Sequence, residues 1–256
     1  MMTFEEFGKE NEKKMMLLPG TCCDWQTNFY NVFDSLAGKY HLICVNYDGF
    51  DGSDDIFPDM ITVTEKIEKY IIDNHEGRID AALGSSLGSS FVGQLIQRRN
   101  VHIDHGIFGS PDLDQCGKIS AKLQSMLVIP LLTSAPKGER KKEKTKKFLM
   151  NTFLMDDKVA DKFIECFSKF NPKSIKNEYY TDLLTYLEDD INVEHTKVHF
   201  IYAKKMGEKY LKRYKKYFHD PDIREFDMQH EQWLLGEKKY TEPVLKVIDE
   251  FMQMPV

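Results

Sequence analysis

No run of apolar residues in this 256-residue chain approaches the roughly 20 needed to cross a bilayer. The apolar Met15-Met16-Leu17-Leu18, which follows a polar N-terminus of mixed charge, is also too short for the core of a signal peptide. A basic excess is missing as well: 35 lysines and arginines stand against 41 acidic residues, a net charge of −6, which argues against nucleic acid or an anionic membrane as the main partner. Cysteine is scarce and odd in number, with five residues that include the adjacent pair Cys22-Cys23. Sequence neighbours bridge only with strain, so no disulfide framework is expected and a reducing cytoplasm fits. Internal repeats and low-complexity linkers are absent, and the length suits one folding unit with an insertion. Motifs for bound groups are lacking too. The small-residue turn Gly84 to Ser90 has no Lys-Ser/Thr ending of a phosphate-binding loop, and neither His-Glu-x-x-His nor Cys-x-x-Cys occurs. No cofactor and no metal are expected, and oligomeric state stays open.

What the chain does contain is alternation. Short apolar runs at Met15 to Leu18, His41 to Asn46, Ile79 to Leu83, His105 to Phe108, Val198 to Tyr202 and Ile223 to Phe226 read as strands. Helical patterns lie between them, at Trp25 to Ala37, Val63 to Asn74, Ser89 to Arg99, Glu208 to Phe218 and Thr241 to Met252. Pro19-Gly20, Asp48-Gly49 and Asp51-Gly52 supply turn chemistry directly after strands. This order predicts an α/β fold, a mostly parallel sheet with helices on both faces. It breaks after Pro111. Leu113 to Asp190 shows no strand but four helical patterns, Lys118 to Val128, Thr145 to Leu154, Lys158 to Phe170 and Glu178 to Leu187, and is expected to be a helical insertion. Within it, Lys137, Arg140, Lys141, Lys142, Lys144, Lys146 and Lys147 alternate with Glu139 and Glu143 and read first as a solvated helix face or a mobile loop, with recruitment of an anionic substrate as the functional alternative. Phe148, Phe153, Phe163, Phe167 and Phe170 read as helix packing, with an apolar pocket lining as the alternative.

The chemistry concentrates in Gly84-Ser85-Ser86-Leu87-Gly88, a G-x-S-x-G between an apolar strand and an apolar helix. A strand that reverses within two residues into a helix needs small residues around an exposed hydroxyl, which places Ser86 as a nucleophile. A serine needs a base, and a histidine suits that task near neutral pH. His230 lies in a loop after the last strand and before the C-terminal helix. His41, His102, His105 and His199 belong in or beside strands, while His75, His195 and His219 read as surface positions. An oxyanion would be held by the N–H of Leu87 and by that of Thr21 or Cys22 in the turn after the first strand.

Four motifs in this order resemble the α/β-hydrolase family over nearly the whole chain. Pro19-Gly20-Thr21 is similar to the family's His-Gly oxyanion turn, with proline in place of histidine. Tyr47-Asp48-Gly49-Phe50-Asp51-Gly52-Ser53 resembles its Asp-x-Pro-Gly-x-Gly-x-Ser loop without the proline, Gly84 to Gly88 its nucleophile elbow, and His230 its final histidine. The resemblance implies a core over residues 1–112 and 191–256 and a helical cap over 113–190. It also implies a third, acidic member that orients the histidine. The usual position, after Val198 to Tyr202, holds Ala203-Lys204-Lys205-Met206-Gly207, with Glu208 following late. Gly109-Ser110-Pro111-Asp112-Leu113-Asp114 offers Asp112 first and Asp114 behind it, and a dyad without an acid is the remaining alternative. The expectation is a serine hydrolase that cleaves a small ester or thioester through an acyl-enzyme. A non-catalytic binding protein, or a lyase or acyltransferase on the same scaffold, is the competing expectation. The partner is expected to be a small acyl substrate.

Overall fold

The structure is a computed structural model, and it describes residues 2–133 and 139–256. Seven strands among the described residues form one sheet: β1 (Thr3–Phe7), β2 (Lys14–Leu18), β3 (His41–Asn46), β4 (Arg78–Ser85), β5 (His102–Gly109), β6 (Lys197–Ala203) and β7 (Asp222–Phe226). Their order is β1-β3-β2-β4-β5-β6-β7. Only β1 runs antiparallel, against β3, and all other neighbours are parallel.

A parallel sheet is buried on both faces, so its strands read as continuous apolar runs. Side chains alternate across such a sheet, and the two cores follow from that. Met16 and Leu18 of β2 join Ile43 and Val45 of β3 in one core, while Met15 and Leu17 join Leu42 and Cys44 in the other. Helices α3 (Met60–His75) and α4 (Gly88–Arg98) cover the first face. The second is covered by α1 (Trp25–Asn28), α2 (Phe33–Ala37), α10 (Gln232–Leu235) and α11 (Lys238–Gln253). The first core also receives α9 (Glu208–Tyr217), through Tyr214 and Tyr217.

Three expectations are corrected here. Strand β1 lies in the N-terminal stretch that reads as merely polar. Its Glu5 and Glu6 mask the pattern, and Glu6 is satisfied by His41 at 2.7 Å and by the Tyr70 hydroxyl, while Phe4 stacks on Tyr70. The helix expected over Trp25 to Ala37 is two short ones. Between them the chain makes a tighter turn, with Val32 N bonded to Phe29 O at 3.0 Å, and the asparagines bond to distant backbone: the Asn28 side chain accepts the Gly20 N–H at 2.7 Å, and Asn31 donates to Leu234 O at 2.9 Å. His75 is buried rather than a surface residue, because it ends the inner face of α3 against Tyr70 and His41. The strand histidines sit as expected, His41 on Glu6 and His105 3.1 Å from His199.

Between β5 and β6 the described residues form α5 (Lys118–Thr133), α6 (Glu139–Thr152), α7 (Asp157–Lys169) and α8 (Pro172–Leu184), and no strand. Helix α5 packs on α8, α6 on α7, and α7 reaches α1. The basic run lies on α6 as an exposed face, apart from Lys137, which falls outside the described residues. Lys146 pairs with Asp157 and Asp161, and Lys147 with Glu143. Phe163 and Phe170 are buried in the two cores, whereas Phe148 and Phe153 are exposed.

Candidate active site

All the candidate groups lie where the parallel strands end, the edge at which such sheets bind ligands. Strand β4 stops at Ser85, and Ser86 takes φ 46°, a left-handed backbone that only a tightly held turn imposes on serine. The glycines on either side are needed for room. A Cβ on Gly84 would lie 2.4 Å from Ser89 N, and one on Gly88 would lie 2.0 Å from Leu18 O. The amide of Ser86 donates to Gly109 O at 3.1 Å, so the elbow is pinned to the end of β5.

The turn after β7 brings His230 to the same place. Its Nε2 lies 3.1 Å from Ser86 Oγ. For Nε2 to accept the hydroxyl hydrogen, the proton must sit on Nδ1. Nδ1 is buried and no side chain among the described residues accepts its proton. Burial holds the imidazole below its ordinary pKa, and the charge of Asp112 and then the Ser110 carbonyl oppose that by favouring the cation. Of the three candidate acids, Asp112 is therefore the one whose charge acts on His230. Glu208 is exposed in the first turn of α9, where an acidic residue suits the helix dipole. Asp114 is held by Arg213 at 2.6 Å, and the same guanidinium donates to the Asp112 carbonyl, bracing the loop after β5.

The turn after β2 lies against the elbow: a Cβ on Gly20 would sit 3.3 Å from Ser86 Cβ. The amides of Leu87 and Thr21 donate to no acceptor among the described residues. The expected role of Cys22 is corrected. Its N–H, on a left-handed residue of φ 58°, donates to Glu178 Oε2 at 3.0 Å and is not free for an oxyanion. Cys22 and Cys23 are both buried, and burial pushes their thiols well above the ordinary range, so neither is a thiolate nucleophile.

Three acidic groups escape a reading of the sequence. Glu178 of α8 is fully buried, with Oε1 unpartnered, and burial pushes its carboxyl up to about 8. Asp182, one turn on, is also pushed up to about 8, by the burial of its carboxyl and the charge of Asp112 against a hydrogen bond from Ser90. Glu231, next to His230, is buried beneath the elbow: it accepts the Ser85 hydroxyl at 2.6 Å and the Ser86 amide at 3.3 Å. A single acidic residue inside a helix or a turn leaves no periodic signal. Only adjacency to His230 could have marked Glu231.

No protein-family profile matches the chain, and no curated protein matches it. Solved structures do. A protein assigned to the alpha/beta hydrolase family from Desulfitobacterium hafniense is 16% identical with a TM-score of 0.73, covering 98% of this chain and 100% of its own. MenH from S. aureus is 13% identical with a TM-score of 0.72 over 98% and 99%. An esterase from Thermogutta terrifontis is 12% identical with a TM-score of 0.72 over 98% and 93%. The described sheet and its helices are thus those of the α/β-hydrolase fold.

Proposed function

We propose that this chain, an α/β-hydrolase by fold, is a serine hydrolase that cleaves a small carboxylic ester or thioester through an acyl-enzyme. The observation that carries the reading is the 3.1 Å approach of His230 Nε2 to Ser86 Oγ, across 144 residues of sequence, on a left-handed elbow. His230, neutral at pH 7 because burial lowers its pKa, takes the hydroxyl proton as Ser86 attacks the acyl carbon. The amides of Leu87 and Thr21 hold the oxyanion, and Asp112 stabilises the imidazolium. His230 then gives its proton to the leaving alcohol or thiol, and the same residue activates the water that frees the acid. Helices α5 to α8 act as the cap that sets substrate choice, and the five free thiols suit a reducing cytoplasm. No helix among the described residues is long and apolar enough to cross a membrane.

Neighbours named as esterases support the ester reading, including one from a marine microorganism at 13% identity. A Bacillus megaterium epoxide hydrolase at 10% identity and a TM-score of 0.70 keeps other hydrolytic chemistry on this scaffold in view. One observation favours a second reading, a binding protein without chemistry: Nδ1 of His230 has no hydrogen-bonded acid. The two are separated by incubating wild type and Ser86→Ala with a fluorophosphonate and with short p-nitrophenyl esters. Labelling and turnover by the wild type alone support the hydrolase; an inert wild type that still binds acyl ligands supports the second reading.

A further inference from the structure

The Glu231 side chain reaches from the turn bearing His230 to the elbow. It follows His230 in the chain, Oε2 lies 2.6 Å from Ser85 Oγ, and Oε1 shares the Ser86 N–H with the Gly109 carbonyl. Ser85 Oγ in turn lies against Gly20 of the turn after β2, where an added Cβ would meet it at 3.3 Å. The residue is 2% exposed, and its backbone is left-handed at φ 55°, a conformation an L side chain rarely adopts. A buried acid in a strained turn is not what packing alone selects, since an apolar side chain would fill the space without losing solvation.

We propose that Glu231 is a positioning residue of the serine-hydrolase site, a reading that rests on that function: its carboxyl ties the elbow to the turn bearing His230. The carboxyl is bonded by the Ser85 hydroxyl and the Ser86 amide of β4 and the elbow, with Gly109 beside Oε1; among titratable groups, the neutral His230 precedes it in the chain and Tyr214 of α9 feels its charge. None is a cation. Burial accordingly pushes Glu231 up to about 8, against the pull of Ser85 and the Ser86 amide. Above that pH a carboxylate forms beside the nucleophile's own amide, where it opposes the build-up of oxyanion charge. The alkaline loss of activity therefore belongs to Glu231, and the acid limb to His230.

The test compares wild type with Glu231→Gln, Glu231→Ala and Ser85→Ala, measuring fluorophosphonate labelling rates and kcat/KM for a short acyl ester from about pH 5.5 to about 9.5. Glutamine keeps an acceptor for Ser86 and a donor for Ser85 but does not titrate, so Glu231→Gln is expected to stay within about 3-fold of wild type near pH 6.5 and to lose the alkaline limb. Alanine frees the elbow and lowers kcat by about 100-fold, more than it raises KM. If alanine prevents folding, Ser85→Ala still decides: it removes a bond that favours the carboxylate, so the alkaline limb moves to higher pH. A wild type that neither labels nor turns over removes the serine-hydrolase reading and this one with it. A wild type that labels normally, while Glu231→Gln and Ser85→Ala keep its pH profile, overturns the role of Glu231 alone.

Discussion

The Oε2 atom of Glu178, on α8, accepts the amide hydrogen of Cys22 at 3.0 Å. A helix from between β5 and β6 thereby props the turn that carries Thr21, with Cys22 held in a left-handed conformation. Glu178→Gln keeps an acceptor and is expected to be close to wild type in rate. Glu178→Ala leaves the buried Cys22 N–H unpaired, a loss of about 1–3 kcal/mol. Urea unfolding should read that loss, and kcat for a short ester should fall with it as Thr21 shifts. Equal stability of the two variants would show that the bond does not support the turn.

Asp112 is the carboxylate whose charge favours protonated His230, yet no hydrogen bond joins it to Nδ1. The proposed mechanism requires that contact to tighten when substrate binds. Asp112→Asn should therefore lower kcat by about 10²- to 10⁴-fold with the fold intact. Glu208→Gln, on the exposed start of α9, should leave kcat within about 2-fold, as surface changes usually do. A profile in which Glu208→Gln is the damaging change would exchange their roles.

Legibility in the sequence followed burial. Strands β2 to β6 carry apolar runs because the parallel sheet is covered on both faces there, and Ser86 stands out because Gly84 and Gly88 bracket it. The place of His230 after the last strand marks it in the sequence, and the structure sets it against Ser86. Strand β1 was hidden because its buried partners are polar: Glu6 meets His41 and Tyr70, contacts far away in sequence. The break between α1 and α2 coincides with Asn28 and Asn31 bonding to Gly20 and to Leu234, and no local pattern reports such partners. Cys22 failed as an oxyanion donor for the same reason, since its partner Glu178 lies 156 residues away.

Stability should fall as pH rises above neutrality. Glu178, Asp182 and Glu231 are each pushed up to about 8, so each holds its proton more tightly folded than unfolded. Their contribution is full below the unfolded values of 4.5 and 3.8 and is lost as pH climbs through about 8. His75, His105, His199 and His230 have lowered values and act the other way, gaining stability as pH rises towards 6.5. Above 6.5 only the acids still change among these groups, so Tm should drop by on the order of 5 °C between about pH 6.5 and about 8.5. Calorimetry on wild type and on Glu178→Gln should show the slope and its flattening. A Tm that does not fall over this interval would mean the three carboxyls are already ionised in the fold.

Close approach at the elbow should separate activity from stability. A Cβ at Gly88 would lie 2.0 Å from Leu18 O, and one at Gly84 would lie 2.4 Å from Ser89 N, both against backbone that cannot move aside. Alanine at either position should cost more than about 3 kcal/mol, at the severe end for a single substitution. Gly117 has nothing within 4 Å of an added Cβ, so Gly117→Ala is the neutral control. Gly20 lies between these extremes, with Ser85 O at 3.2 Å and Ser86 Cβ at 3.3 Å from the added atom. Gly20→Ala should therefore fold with a loss of about 1 kcal/mol, while moving the turn that carries Thr21 a few tenths of an ångström from Ser86. Because oxyanion donors act only when held in register, its kcat should fall by about 10- to 100-fold, far more than its stability suggests. Denaturation and ester kinetics on the same preparation would read both, and parallel losses in the two would deny the Pro19-Gly20-Thr21 turn a place at the reacting carbonyl.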